Sequence, residues 1–276
     1  MKSFLNSKNR VGILLFLSML YIIHAQTSSE RIISGSKAAL GQFPWHVLIK
    51  LNAKHPVWSG GSLISENWVL IAAHCISNVG ELFLVFGTID RDHYENGINM
   101  TSSKFFIHPE YNSAIPNNDI GLIKLPSPII FTKNIQPIAL VTAAEAAEQK
   151  DFVGAKAIIT GFGQETDDIG SESNVLLWAQ LEVISNDRCL GLYKNPDAIV
   201  NSTLCAIGWN DTNKSPCSGD SGGPLIWKNK ANNFVQIGID SFVARSIGCM
   251  LKFPAGFTRV SSFLSYIRNI TGLNYE

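Results

Sequence analysis

The sequence predicts an all-β fold, either a barrel or a sandwich. Short apolar runs of strand length recur along the 276 residues. Gly, Pro, Asn and Ser cluster between the runs, where turns require them. Helical periodicity is persuasive in one segment, close to the C-terminus. A parallel βαβ sheet would need helix-length patterns between its strands, and they are missing.

The strand-like runs fall at residues 46–51, 68–71, 82–86, 120–125, 157–160 and 235–239. Residues 143–148 (Ala-Ala-Glu-Ala-Ala-Glu) favour helix by propensity, but between Pro137 and Gly154 a loop fits equally well. The C-terminal segment places Val260, Phe263, Leu264, Ile267 and Ile270 on one helical face, with Ser261 or Ser262 as the expected N-cap. The sequence contains neither an internal repeat nor a low-complexity linker.

Hydrophobic residues make up 46% of the chain and charged residues 16%, enough apolar material for a large core. The 22 basic and 22 acidic residues cancel, so no electrostatic argument favours nucleic acid or an acidic membrane as partner. Lys2, Lys8 and Arg10 precede the apolar run 11–23, and His24-Ala25 follows it. This order describes a secretory signal peptide over residues 1–25, and the run is too short to span a bilayer. A secreted, extracellular protein is expected, and there cysteines normally pair. Five are present, Cys75, Cys189, Cys205, Cys217 and Cys249, so at least one is left over. Asn99, Asn201, Asn210, Asn213 and Asn269 head Asn-x-Ser/Thr sequons, the glycan acceptor pattern. The six histidines show no metal-ligand spacing, and neither metal nor cofactor is expected.

Three residues carry chemistry when taken together. Ser221 lies in Cys217-Ser-Gly-Asp-Ser-Gly-Gly-Pro, where glycines let the backbone approach a ligand closely. A serine hydroxyl needs a base to take its proton and donors to meet the oxyanion. His74 follows an apolar strand in Ile-Ala-Ala-His-Cys, and Asp119 opens Asp-Ile-Gly-Leu-Ile-Lys-Leu. Alone, the histidine reads as structural and the aspartate as a turn cap. In the order His, Asp, Ser they form a base, an orienting group and a nucleophile.

From Arg31 to about Ile270 the chain resembles the chymotrypsin-like serine proteases. The resemblance rests on Arg31-Ile-Ile-Ser-Gly, Phe43-Pro-Trp, Gly60-Gly-Ser-Leu-Ile, Ala72-Ala-His-Cys, Asp119-Ile-Gly-Leu, Gly161-Phe-Gly, Gly219-Asp-Ser-Gly-Gly-Pro and Phe257-Thr-Arg-Val. It implies two six-stranded antiparallel Greek-key β-barrels with a C-terminal helix, over residues 32–276, and a barrel boundary near 135–150. It also implies a Ser221–His74–Asp119 triad, an oxyanion hole from the N–H groups of Gly219 and Ser221, and support of Asp119 by Ser241. Residues 26–31 would be a propeptide, removed by a trypsin-like protease cutting after Arg31. The new ammonium of Ile32 would then pair with Asp220. Two family disulfides, Cys189–Cys205 and Cys217–Cys249, are implied, leaving Cys75 as a free thiol.

Departures from the family pattern matter. Ser59 stands where most relatives have the partner of Cys75. Ser215 stands at the pocket floor in place of the aspartate of trypsin-like enzymes, so a basic substrate side chain would lose its partner there. Val243 and Ala255 occupy wall positions, and Ser241-Phe-Val resembles pancreatic elastases. Cleavage after small or medium aliphatic residues is therefore expected, with chymotrypsin-like selection of Phe, Tyr or Leu as the alternative. The rival from another class is a non-catalytic homologue that binds or regulates. Expected partners are protein or peptide substrates, the activating protease and protein inhibitors, with no nucleic acid or membrane and a monomeric state.

Overall fold

The computed structural model describes residues 32–244, 248–249 and 251–275. The expected signal peptide, the propeptide and Arg31 lie outside the described residues.

The first half of the chain forms a seven-stranded antiparallel sheet from β2 (His46–Lys50), β3 (Val57–Ser65), β4 (Trp68–Ile71), β5 (Leu82–Phe86), β6 (Ile98–Ser102), β7 (Phe105–Ile107) and β8 (Gly121–Lys124). Its order is β6-β5-β2-β3-β4-β8-β7. The two edge strands are consecutive in the chain, with Ser103 and Lys104 between them. Ser102 Oγ donates to Lys124 O at 2.7 Å, and Lys124 N–H donates to Lys104 O at 3.0 Å. β6 and β7 are thus two halves of one bent strand that brings the sheet edges together. Counted so, this barrel has the six strands the sequence reading implies.

The second half closes by backbone hydrogen bonds. β10 (Lys156–Gly161), β11 (Leu177–Ile184), β12 (Thr203–Gly208), β13 (Pro224–Lys228), β14 (Phe234–Phe242) and β15 (Ala255–Arg259) run in the order β11-β10-β13-β14-β15-β12, and β11 pairs β12. β1 (Ser36–Lys37) pairs β11, and β9 (Ala139–Leu140) adds in parallel to β14. The chain crosses between barrels here: Ile138 N–H donates to Leu63 O, and Val141 N–H to Gln236 O.

One apolar core runs through both barrels, including Leu48, Leu70, Phe86, Ile159, Leu225 and Phe257. Each such buried side chain stabilises the fold by about 1.5–3 kcal/mol. Polar groups stitch the seam. Ser62 Oγ donates to Gln236 Oε1 at 2.7 Å, and His46 Nδ1 lies 2.9 Å from Thr160 Oγ1. Burial pushes His46 down to about 3, so it stays neutral.

Four α-helices complete the described fold: α1 (Ala73–Ile76), α2 (Ala143–Glu148), α3 (Asn186–Tyr193) and α4 (Leu264–Thr271). The segment 143–148 is a helix, because Thr142 and Glu145 form a reciprocal capping box. The C-terminal helix starts later than its sequence suggests. Residues Val260–Phe263 make a 3₁₀ turn, so Ser261 and Ser262 lie inside it and the α-helical N-cap is Phe263.

Candidate active site

His74 sits in α1 directly after β4, so the first barrel fixes where its side chain leaves the backbone. Its Nδ1 lies 2.8 Å from Asp119 Oδ2, and its backbone N–H donates to Asp119 Oδ1 at 2.8 Å. Asp119 is buried just ahead of β8. The second barrel holds it from the other side: Ser241 Oγ donates to Oδ2 at 2.5 Å, and Thr258 Oγ1 donates to its carbonyl at 2.8 Å. Hydrogen bonds of this kind fix the orientation of a buried carboxylate.

Nε2 of His74 lies 3.3 Å from Cys75 Sγ. Burial alone would lower the imidazole pKa, but the sulfur beside Nε2 and the Asp119 hydrogen bond override it and raise it. Trp58 Nε1 on β3 donates to the carbonyl of Cys75 at 2.8 Å, tying the neighbouring strand to this turn.

Ser221 occupies the turn before β13, where Gly219 and Gly222 adopt φ of +97° and +81°. Its carbonyl accepts from Gly60 N–H across the seam at 2.9 Å. The N–H groups of Gly219 and Ser221 donate to no backbone acceptor among the described residues. Beside it Asp220 is fully buried, accepting from Gly163 N–H at 2.8 Å and Cys217 N–H at 2.9 Å. A Cβ on Gly161 or Gly163 would collide with this carboxylate, which explains glycine at both positions. Burial pushes Asp220 up to about 7 against those two hydrogen bonds.

A cleft of about 510 Å³ joins the two halves of the site. His74, Asp119 and Ile115 line it from the first barrel, and Ser221, Asp240 and Val243 from the second. Residues 32–267 match the family model described as Trypsin. The chain belongs to the trypsin family. A collagenase of Hypoderma lineatum is 37% identical over 245 residues, covering 88% of each chain. A brachyurin of Leptuca pugilator is 32% identical, over 88% of this chain and 99% of its own length. A solved structure of HL collagenase superposes with a TM-score of 0.77 at 34% identity, covering 88% of this chain and all of that one. This trypsin-family chain is a serine endopeptidase.

Other residues singled out by sequence fall around that site. Cys189–Cys205 and Cys217–Cys249 are bridged, and Cys75 is free and buried. Ser241 and Val243 line the cleft, whereas Ser215 and Ala255 are buried and do not. Ser215 makes a β-bridge with Ile33, and Ala255 pairs with Ala206 inside the second barrel. Asn99, Asn201, Asn210 and Asn269 are exposed, while half-buried Asn213 accepts from Ser34 Oγ at 2.8 Å. Trp58, Thr258 and Asp240 escape the sequence reading. Asp240 carries a legible signal, a charged residue inside the apolar strand run Ile-Gly-Ile-Asp-Ser-Phe, where charge is rarely buried without a purpose.

Proposed function

We propose that this endopeptidase is secreted as an inactive precursor, is activated by cleavage between Arg31 and Ile32, and cuts after small or medium aliphatic residues. The carrying observation is a cleft where Ser221, His74 and Asp119 converge and Val243 forms part of the wall. Asp119 orients the imidazole, and Nε2 takes the Ser221 proton as Oγ attacks the substrate carbonyl. For that step Nε2 exchanges Cys75 Sγ for the Ser221 hydroxyl; such bonds commonly tighten when substrate binds. The free N–H groups of Gly219 and Ser221 meet the oxyanion. His74 then protonates the leaving amine, and a water activated by the same base hydrolyses the acyl ester and regenerates Ser221.

Activation follows from an imbalance. Asp220 is a buried carboxylate with no cation among the described residues. An ammonium created on Ile32, itself buried, supplies the missing charge and draws the adjacent loop into its working shape. Arg31 suits a trypsin-like activator. N-terminal sequencing of active material should read Ile-Ile-Ser-Gly, and a precursor carrying Arg31→Gln should stay inactive on incubation with trypsin.

The size preference rests on Val243, whose methyl groups fill volume in the cleft. Overpacking such a space costs about 1–3 kcal/mol, worth roughly ten-fold in rate or more. Alanine, valine and leucine before the scissile bond should therefore exceed phenylalanine in kcat/KM by about ten-fold. Val243→Gly should shift the ranking toward phenylalanine and tyrosine. A native enzyme that already prefers phenylalanine, or an unchanged ranking in the variant, removes Val243 as the gate.

A further inference from the structure

Asp240 is the charged residue of the cleft that the mechanism above does not use. It lies in β14 immediately before Ser241. A β-bulge between Asp240 and Phe242 interrupts the regular alternation of side chains here, and Asp240 and Ser241 both line the cleft. Its backbone clamps the nucleophile loop: Gly222 N–H donates to Asp240 O at 2.8 Å, and Asp240 N–H donates to Gly223 O at 2.9 Å. The backbone of Asp240 is thereby fixed against the nucleophile loop, and the residue lines the cleft together with Ser221, Cys217, Ser218 and Val243. The residue is 3% exposed, and Oδ1 is buried with no hydrogen-bond partner. No lysine or arginine among the described residues pairs with it.

We infer that Asp240 gives this pocket a second class of substrate, peptides with lysine before the scissile bond, whose ammonium donates to the carboxyl. The inference rests on the reading of this cleft as the pocket for that residue. The lysine stem is aliphatic and lies along the same Val243 surface that favours small apolar side chains. One unpartnered oxygen suits a compact ammonium on a flexible stem; the arginine fork needs a bidentate acceptor. Asp119 and Asp220 add to the negative field around Asp240, with His74 acting against it. That field, concentrated in a low-dielectric cleft, favours a cation. Burial and the Asp220 charge hold the Asp240 carboxyl well above the usual range, which favours its neutral form until an incoming ammonium pairs with the carboxylate and the carboxyl proton leaves to solvent.

The test compares kcat/KM for two peptides that differ only in lysine or norleucine before the cut, using the enzyme activated after Arg31. Wild type, Asp240→Asn and Asp240→Val are measured, each normalised by active-site titration of Ser221. The lysine/norleucine ratio should fall at least ten-fold in both variants. The near-isosteric Asp240→Asn separates lost charge from lost shape. A ratio within two-fold of wild type in both variants overturns the inference alone and makes Asp240 a structural residue served by water. If active protein hydrolyses neither peptide, the pocket reading and this inference fall together.

Discussion

Beside the general base, Cys75 Sγ stands 3.3 Å from the nitrogen that must serve Ser221. The sulfur and the Asp119 hydrogen bond raise the His74 pKa against the pull of burial. A base with a raised pKa carries its proton to higher pH, so kcat/KM should climb with pH as His74 deprotonates. Cys75→Ala removes one raising influence, and the acid limb of the pH–kcat/KM profile should move to lower pH. An unmoved limb means the thiol is a spectator. Cys75 is 2% exposed, so alkylation of native enzyme should be slow, with one thiol labelled after unfolding without reductant.

At the level of elements, the turn carrying His74 lacks the covalent tie that most relatives have to the adjoining strand, and a hydrogen bond works in its place. Trp58 on β3 reaches the Cys75 carbonyl through Nε1. Trp58→Phe keeps most of the ring but deletes that donor, and stability should drop by about 1 kcal/mol in denaturant unfolding. Ser59, next on β3, is fully buried and its hydroxyl has no partner. Ser59→Cys should bridge to Cys75. Closing the 59–75 loop should add about 3 kcal/mol, reversible with reductant. A free thiol persisting on Cys75 in that variant would show that the strands are held too far apart. Helices were the least legible elements in the sequence. α2 carried its signal in Thr142 and Glu145, two residues at capping-box spacing, but the flanking Pro137 and Gly154 read equally as loop. α3 mixes Gly191 into a short polar segment and relies on the Ser185 cap and the Cys189–Cys205 bridge, which periodicity cannot see.

At the scale of the whole molecule, buried carboxyls couple pH to folding stability. Burial pushes the folded Asp220 carboxyl up to about 7, against an ordinary value of 3.8. The folded state then holds a proton that the unfolded state has lost, so stability should decline as pH rises from about 4 and level off above 7. The loss is on the order of 4 kcal/mol. Buried Asp240 acts in the same direction. If cleavage after Arg31 places an ammonium on Ile32 against the ionised form, as proposed above, the decline should shrink. Denaturant unfolding of precursor and cut enzyme at pH 5 and 7.5 checks this; equal slopes would count against the pairing.

At this scale the strands and the motifs around His74, Asp119 and Ser221, the triad proposed above, could be read from sequence because alternation, turn residues and loop glycines are local. The long-range choices could not. Nothing in the residues around Ser102 announces that β6 and β7 are one bent strand. The β-bridge of Ser215 to Ile33 and the pairing of Ala255 with Ala206 are likewise long-range contacts that position in a motif does not announce.

The seam between barrels also has a meaning in time. Ribosomes deliver the base and its carboxylate first, since His74 and Asp119 belong to the early barrel. Ser221 emerges about a hundred residues after Asp119, and the Ser241 and Thr258 hydroxyls that grip Asp119 come later still. A nascent or truncated chain ending before Ser221 therefore holds a base with nothing to activate. Hydrolytic competence would arise only after the second barrel has been made and has closed on the first.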